Sequence, residues 1–378
     1  MKPFFRSHYR AIGAALAVSF ITALALAGRL GPIQPVESLS PHKMVDMHCH
    51  TAGIGAGGSG CFISPKMEQS YKFTHYLKSF GVTRAELDAK GDAVILDRIS
   101  ERLAQSHHVG QAVILALDGA VDDQGELDRA RTEVYVPNEY LATEVAKRPN
   151  LLFGASVNPY RRDALTRLEW AKAHGAVLIK WLPAIQQIDP ADPRLIPFYK
   201  KLVELRLPLL SHTGNEHSFT HSADEYCDPD RLRLPLQVGV TVIAAHVATG
   251  GSFAGERSID RLAKLMVEFP NLYSDISSLT QLNKSGYLKE VITRPEFKHR
   301  LVYGTDYPLV NLPILVSAYY HPFRLSVRQM IGIMKIQNPW DRDVALKQAL
   351  GFPSEVWTRF EDLLPPPAPR GETRANAS

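Results

Sequence analysis

Two histidines one residue apart, His48 and His50, close the stretch Val45-Asp46-Met47-His48-Cys49-His50. On an extended strand side chains alternate, so both imidazoles face one side and can be handed to a single metal ion. Further along, Lys180, His212, His246 and Asp306 each interrupt an apolar run where a strand should stop. A lone histidine there is more often a hydrogen-bonded structural residue; several that converge reverse that expectation. Imidazole and carboxylate hold Zn²⁺, Mn²⁺ or Fe²⁺ while leaving a position open for water. No second Cys/His cluster has structural-site spacing, so the ion is expected to be catalytic.

The elements that must position these groups follow a rhythm. After the opening strand, short apolar strands are expected at 112–117, 151–157, 176–180, 208–214, 240–246, 272–276 and 300–308. Helical patterns lie between them, at 68–106, 138–147, 161–174, 193–205 and 256–269, with one more before the last strand. Continuous apolar strands imply burial on both faces, and alternation with helices implies parallel pairing. Such a series predicts an α/β chain folded as a (β/α)₈ TIM barrel, whose C-terminal strand ends converge on one face. A doubly wound open sheet is the runner-up, and the ligand pattern argues against it. The segment 311–334 and a helix over 339–364 should pack outside.

The chain has 378 residues, 45% of them hydrophobic, and a formal net charge of +4. Charges are mixed along it, with no basic block, which excludes a nucleic-acid partner. Lys2, Arg6 and Arg10 precede an uncharged run at 11–27, which as a helix would span about 25 Å. Residues 1–30 therefore read as a signal peptide or an N-terminal membrane anchor. Either places the barrel on the extracytoplasmic side, periplasmic or secreted. Residues 31–43 read as a linker, 44–364 as the barrel and 365–378 as a disordered tail. Gly55, Gly57 and Gly60 form G-x-G-x-x-G after a strand, but a dinucleotide fold would open a helix at the last glycine and this loop runs on. Cys49 should point into the barrel wall. Cys61 and Cys227 fall in loops on one face, where a bridge or two free thiols are both open and free thiols are expected.

The ordered strings VDMHCH, IKWLPAIQQIDPADPRLIPFYKKL, LLSHTGNEH, IAAHVATG and YGTDYP resemble the amidohydrolase superfamily, nearest the branch that also contains nonoxidative decarboxylases. The resemblance spans roughly 44–364 and implies that His48, His50, His212 and Asp306 surround a metal ion. It makes Asp306 the base that takes a proton from the attacking water, and His246 the group that orients the scissile carbonyl. In two-metal members a lysine at the Lys180 position is carboxylated and bridges the ions, with the His246 position on the second. Alternatively Lys180 stays an ammonium and holds a substrate carboxylate. One ion is expected over two, zinc over manganese or iron.

The implied activity is hydrolysis of an amide, ester or lactone carbonyl of a small molecule. Nonoxidative decarboxylation and a non-catalytic, metal-binding envelope protein are the alternatives. Asp118 and Asp275 are expected behind the ligands, and Trp181 in the wall. Glu216, His217 and His221 are expected in a solvated loop, and His174 at a helix cap. His107 and His108 belong on the opposite face. The loops 51–66 and 118–137 are the expected lids; the sequence names neither the substrate nor the oligomeric state.

Overall fold

The computed structural model describes residues 44–364. The anchor or signal segment, the linker and the C-terminal tail lie outside those residues. Among the described residues no helix is long and apolar enough to cross a membrane.

Eight parallel strands form one sheet in chain order: β1 (Met44–His50), β2 (Val109–Leu115), β3 (Leu151–Ala155), β4 (Ala176–Trp181), β5 (Leu209–Ser211), β6 (Val242–Ala244), β7 (Leu272–Asp275) and β8 (Leu301–Val302). The edges meet through backbone hydrogen bonds from Met47 to Tyr303 (3.1 Å), His50 to Tyr307 (2.8 Å) and Asp306 to His48 (2.9 Å). The expected barrel is the observed one, with the β1–β8 seam closed by these bonds.

Helices α1 (Ala93–Ala104), α2 (Asn138–Ala146), α3 (Ala164–Ala173), α4 (Ile196–Leu205), α5 (Arg233–Val238), α6 (Ser258–Glu268) and α7 (Leu288–Thr293) connect successive strands. Each buries a stripe: α6 turns Ile259, Leu262, Ala263 and Met266 inward, three to four residues apart. Val45, Met47, Val113, Leu115, Leu178, Leu210, Ile243 and Val302 fill the barrel interior. A second, larger cluster packs strands against helices.

Four expectations change. The pattern at 68–106 is three helices, Tyr71–Phe80, Arg84–Lys90 and α1, preceded by a short one at Pro65–Glu68, because Gly81 and Gly91 end the first two at positive φ. The expected helix at 256–269 starts at Ser258, since Glu256–Arg257 pairs with Ser252–Phe253. The expected helix 339–364 stops as α8 (Pro339–Ala349), followed by Gly351 at φ 96°. Strands β5, β6 and β8 end earlier than expected, so His212, His246 and Asp306 stand on the loops that follow.

Strand β1 carries an irregularity that shapes the site. Asp46 is level with Ala112 and Cys49 with Ile114, so Met47 and His48 together face a single residue of β2. This bulge puts both Met47 and His48 on the inner side, where strict alternation would send one outward. Asp46 props it from outside, accepting from the His48 amide (3.0 Å), the Thr305 amide (3.0 Å) and hydroxyl, and Trp340 Nε1 (2.9 Å).

Candidate active site

Beyond the bulge, His48 and His50 bring their Nε2 atoms to 3.1 Å of each other. Asp306 Oδ1 lies 3.6 Å from the first and 3.4 Å from the second. Ligand atoms about 2.0–2.1 Å from a tetrahedral ion sit about 3.3 Å apart, so these separations are those of a shared coordination edge. One ligand atom each from His48, His246 and Asp306 also lies within 4.8 Å of the other two, and all three residues are buried.

Further contacts aim the ligands. His48 Nδ1 meets Asp275 Oδ2 at 2.8 Å, which leaves Nε2 to face the site. Asp275 Oδ1 accepts from the His246 amide at 2.9 Å, and Ser277 Oγ is 2.7 Å from His246 Nδ1. His246, Val247 and Ala248 all have positive φ, 60°, 51° and 47°, a strained run just past β6. It turns the His246 ring against His48, with centroids 5.0 Å apart. Ser278 Oγ donates to Asp306 Oδ2.

His212 supplies the clearest test of whether the donor set fits a metal ion. Its Nδ1 is 3.5 Å from Glu216 Oε2, while its buried Nε2 has no partner among the described residues. An unpaired buried nitrogen costs about 1–3 kcal/mol unless something occupies it, and a divalent ion fits the donor set. Lys180 is wholly buried with Nζ 3.1 Å from His48 Nε2.

The electrostatics agree with this use. Burial, together with the Lys180 charge, lowers His48 to about 4 despite Asp275. Burial likewise depresses His212 and, strongly, His246. All three are thus neutral and able to coordinate at pH 7. Burial would raise Asp306 and Asp275, but neighbouring imidazoles outweigh it and hold both well below the carboxylate range. Burial lowers Lys180 to about 8.

A pH dependence follows for the metal-free protein. The unfolded chain protonates these histidines near pH 6.5, whereas folded His48 waits until about 4. Unfolded chains therefore bind more protons in that window, and stability must fall as pH drops through it. The expected slope is about 1.4 kcal/mol per pH unit for each such histidine. Urea unfolding at pH 7, 6 and 5 measures it; a flat profile would contradict the neutral-imidazole assignment.

Some expected roles move. Glu216, expected in a solvated loop, is buried against His212, whereas His221 is exposed. His217 is exposed at the cavity edge. Asp118, expected behind the ligands, instead forms a buried pair with Arg161 at 2.5 Å. Asp275 and Trp181 stand where expected, the latter packed on Phe198 and Tyr199. His174 caps α3, and His107 and His108 precede β2 with their amides on Asp341. The expected lids are joined, Phe62–Ile63 pairing with Val134–Tyr135. The G-x-G-x-x-G loop is held by Asp92, which accepts from the Ile54 and Gly55 amides and Ser59 Oγ.

Sequence reasoning missed Asp46, Ser277, Ser278 and Lys284. A carboxylate inside the apolar β1 string and a polar run directly after β7 were the available signals for the first three. Cys49, Cys61 and Cys227 are all buried free thiols. Burial pushes Cys61 up to about 12 and raises the other two. Iodoacetamide at pH 8 is accordingly expected to label none of them until the protein is denatured, as intact mass would show.

Barrel, rim and donor set together define a metal-dependent enzyme of the TIM-barrel class. The family model described as Amidohydrolase matches residues 45–328, and the chain belongs to that family. No protein of curated function matches it. Similar solved structures include an uncharacterized TIM-barrel protein from Bordetella bronchiseptica, with 16% identity, TM-score 0.49, and coverage of 82% of this chain and 99% of that one. Another is a proposed 2-pyrone-4,6-dicarboxylic acid hydrolase from Pseudomonas putida, with 14% identity, TM-score 0.46, and coverage of 85% and 94%. IDCase from Metarhizium anisopliae in its apo form shows 12% identity, TM-score 0.47, and coverage of 87% and 98%.

Proposed function

We propose that the chain is a metal-dependent hydrolase that adds water to an amide, ester or lactone carbonyl of a small molecule. The observation that carries this reading is Asp306, an ionised carboxylate whose Oδ1 forms a near-regular triangle with the Nε2 atoms of His48 and His50, 3.6 and 3.4 Å away. A divalent ion held there, zinc in first place, would supply Lewis acidity toward the carbonyl and acidify the attacking water. His48, His50, His212 and Asp306 would hold it.

The protein's own groups do the rest. Asp306 accepts the proton of the attacking water at Oδ1, its other oxygen being held by Ser278. It then returns that proton to the leaving group. His246, fixed through Nδ1 by Ser277, stays neutral and orients the carbonyl. Lys180 stays an ammonium in a one-ion site; carboxylated, it would accompany a second ion. The apolar walls of the cavity limit access of bulk water.

Hydrolysis in H₂¹⁸O tests the reading on a panel of esters, lactones and amides, with elemental analysis of the same preparation. Hydrolysis requires one labelled oxygen per turnover, and about one ion per chain fits an unmodified Lys180. Carbon dioxide release without label incorporation would replace hydrolysis by nonoxidative decarboxylation. An extracytoplasmic location belongs to the same proposal and is tested by fractionation of cells expressing the full chain.

A further inference from the structure

Above the ligands lies a cavity with two chemical characters. One wall comes from the helices at Pro65–Glu68 and Tyr71–Phe80, which contribute Met67, Phe73, Leu77 and Phe80; Ile54 and Leu309 continue the apolar surface. The helix at Tyr71–Phe80 is fastened over the site, with Lys72 Nζ donating to the carbonyls of His217 (2.7 Å) and Phe219 (2.5 Å) and Tyr76 Oη to that of Ser218 (3.1 Å). The polar groups of this helix nearest the cavity are thereby engaged, and what faces inward is hydrocarbon.

Against this surface stands Lys284, the one lysine or arginine among the described lining residues. It is part-buried, and among the described residues its ammonium has no hydrogen bond or ion pair. Its charge acts on Asp306, Glu216 and Asp275 from a distance. A solvated surface lysine would lie outside the cavity, and a structural one would be paired. Those three carboxylates alone could justify a cation nearby, but a divalent ion held by the ligands would already supply that compensation. An ammonium left beside it is repelled unless an anion settles between them.

We infer that Lys284 and the apolar wall form a recognition subsite for a substrate with a hydrocarbon body and one anionic group, the anion pairing with the lysine. The inference rests on the reading of this cavity as the substrate site. Its test is equilibrium binding, so that it stands or falls separately from hydrolysis.

The probes are octanoate, octanamide and butyrate, titrated by calorimetry into the purified metal-containing protein and into Lys284→Met and Lys284→Arg. Octanoate is expected to bind about tenfold or more tighter than octanamide, the span of one charge-assisted contact. That preference should vanish in Lys284→Met and persist in Lys284→Arg. Affinity should rise about fourfold for each methylene between butyrate and octanoate, as burial of hydrocarbon requires. Equal binding of acid and amide overturns the inference, as does failure of all probes to bind. A preference unchanged in Lys284→Met overturns it too, by assigning the anion to the metal. Loss of chain-length dependence removes the apolar half. Octanoate bound through Lys284 with no labelled oxygen in any product would leave this subsite standing and sink the hydrolase.

Discussion

Asp306→Asn is expected to lower kcat by about 10²- to 10⁴-fold on the best ester or lactone, the usual worth of a positioned general base. Asparagine is the informative replacement for a structural reason. Asp306 has φ 62°, a left-handed conformation that asparagine tolerates better than most residues. The amide oxygen can still accept from Ser278, so the loop should keep its shape. What is lost is the ionised oxygen near His48 and His50, the atom assigned to take the proton. Steady-state kinetics should be paired with elemental analysis, because weaker ion binding also lowers turnover. A kcat within tenfold of the parent at full metal content would remove Asp306 from the role of base.

Asp46→Ala should give the largest loss of stability, about 3–5 kcal/mol in urea unfolding, as when one partner of a buried charged network is removed. Four donors converge on this carboxylate: the His48 amide, the Thr305 amide and hydroxyl, and the Trp340 indole. Burial pushes Asp46 up to about 6 against their combined pull, so the charged form is the one present at pH 8. The bulge that turns His48 inward depends on the same carboxylate. Asp46→Ala should therefore also weaken metal affinity by about 10- to 100-fold, as loss of a residue supporting a ligand does. Asp46→Asn keeps the volume and part of the acceptor capacity, and should recover part of both losses. Normal metal affinity in a destabilised Asp46→Ala protein would limit Asp46 to a structural part.

The barrel was legible because its strands are short apolar runs separated by amphipathic helices, a pattern that burial on both faces imposes. The ligand residues were legible because each breaks such a run. The exact placement was not. His212, His246 and Asp306 lie beyond the strands, since β5, β6 and β8 end sooner than their apolar strings. An apolar string records burial, and buried loop residues at a barrel rim look the same as strand residues. The His48–His50 geometry came out as expected for a reason that alternation alone does not contain: the bulge takes in Met47 and His48 and ends before Cys49, so from His48 to His50 the spacing of two is kept. Glu216 reads as a loop residue from its neighbours Asn215 and His217, and only the packing against His212 distinguishes it. Lys284 carried no signal, because its chemistry arises from helices some two hundred residues earlier in the chain that lay hydrocarbon over the same cavity.

The bond from Trp340 to Asp46 spans 294 residues. During synthesis the opening strand leaves the ribosome long before the indole that fastens it exists. A product truncated before α8 would carry every candidate ligand yet lack the latch that sets them.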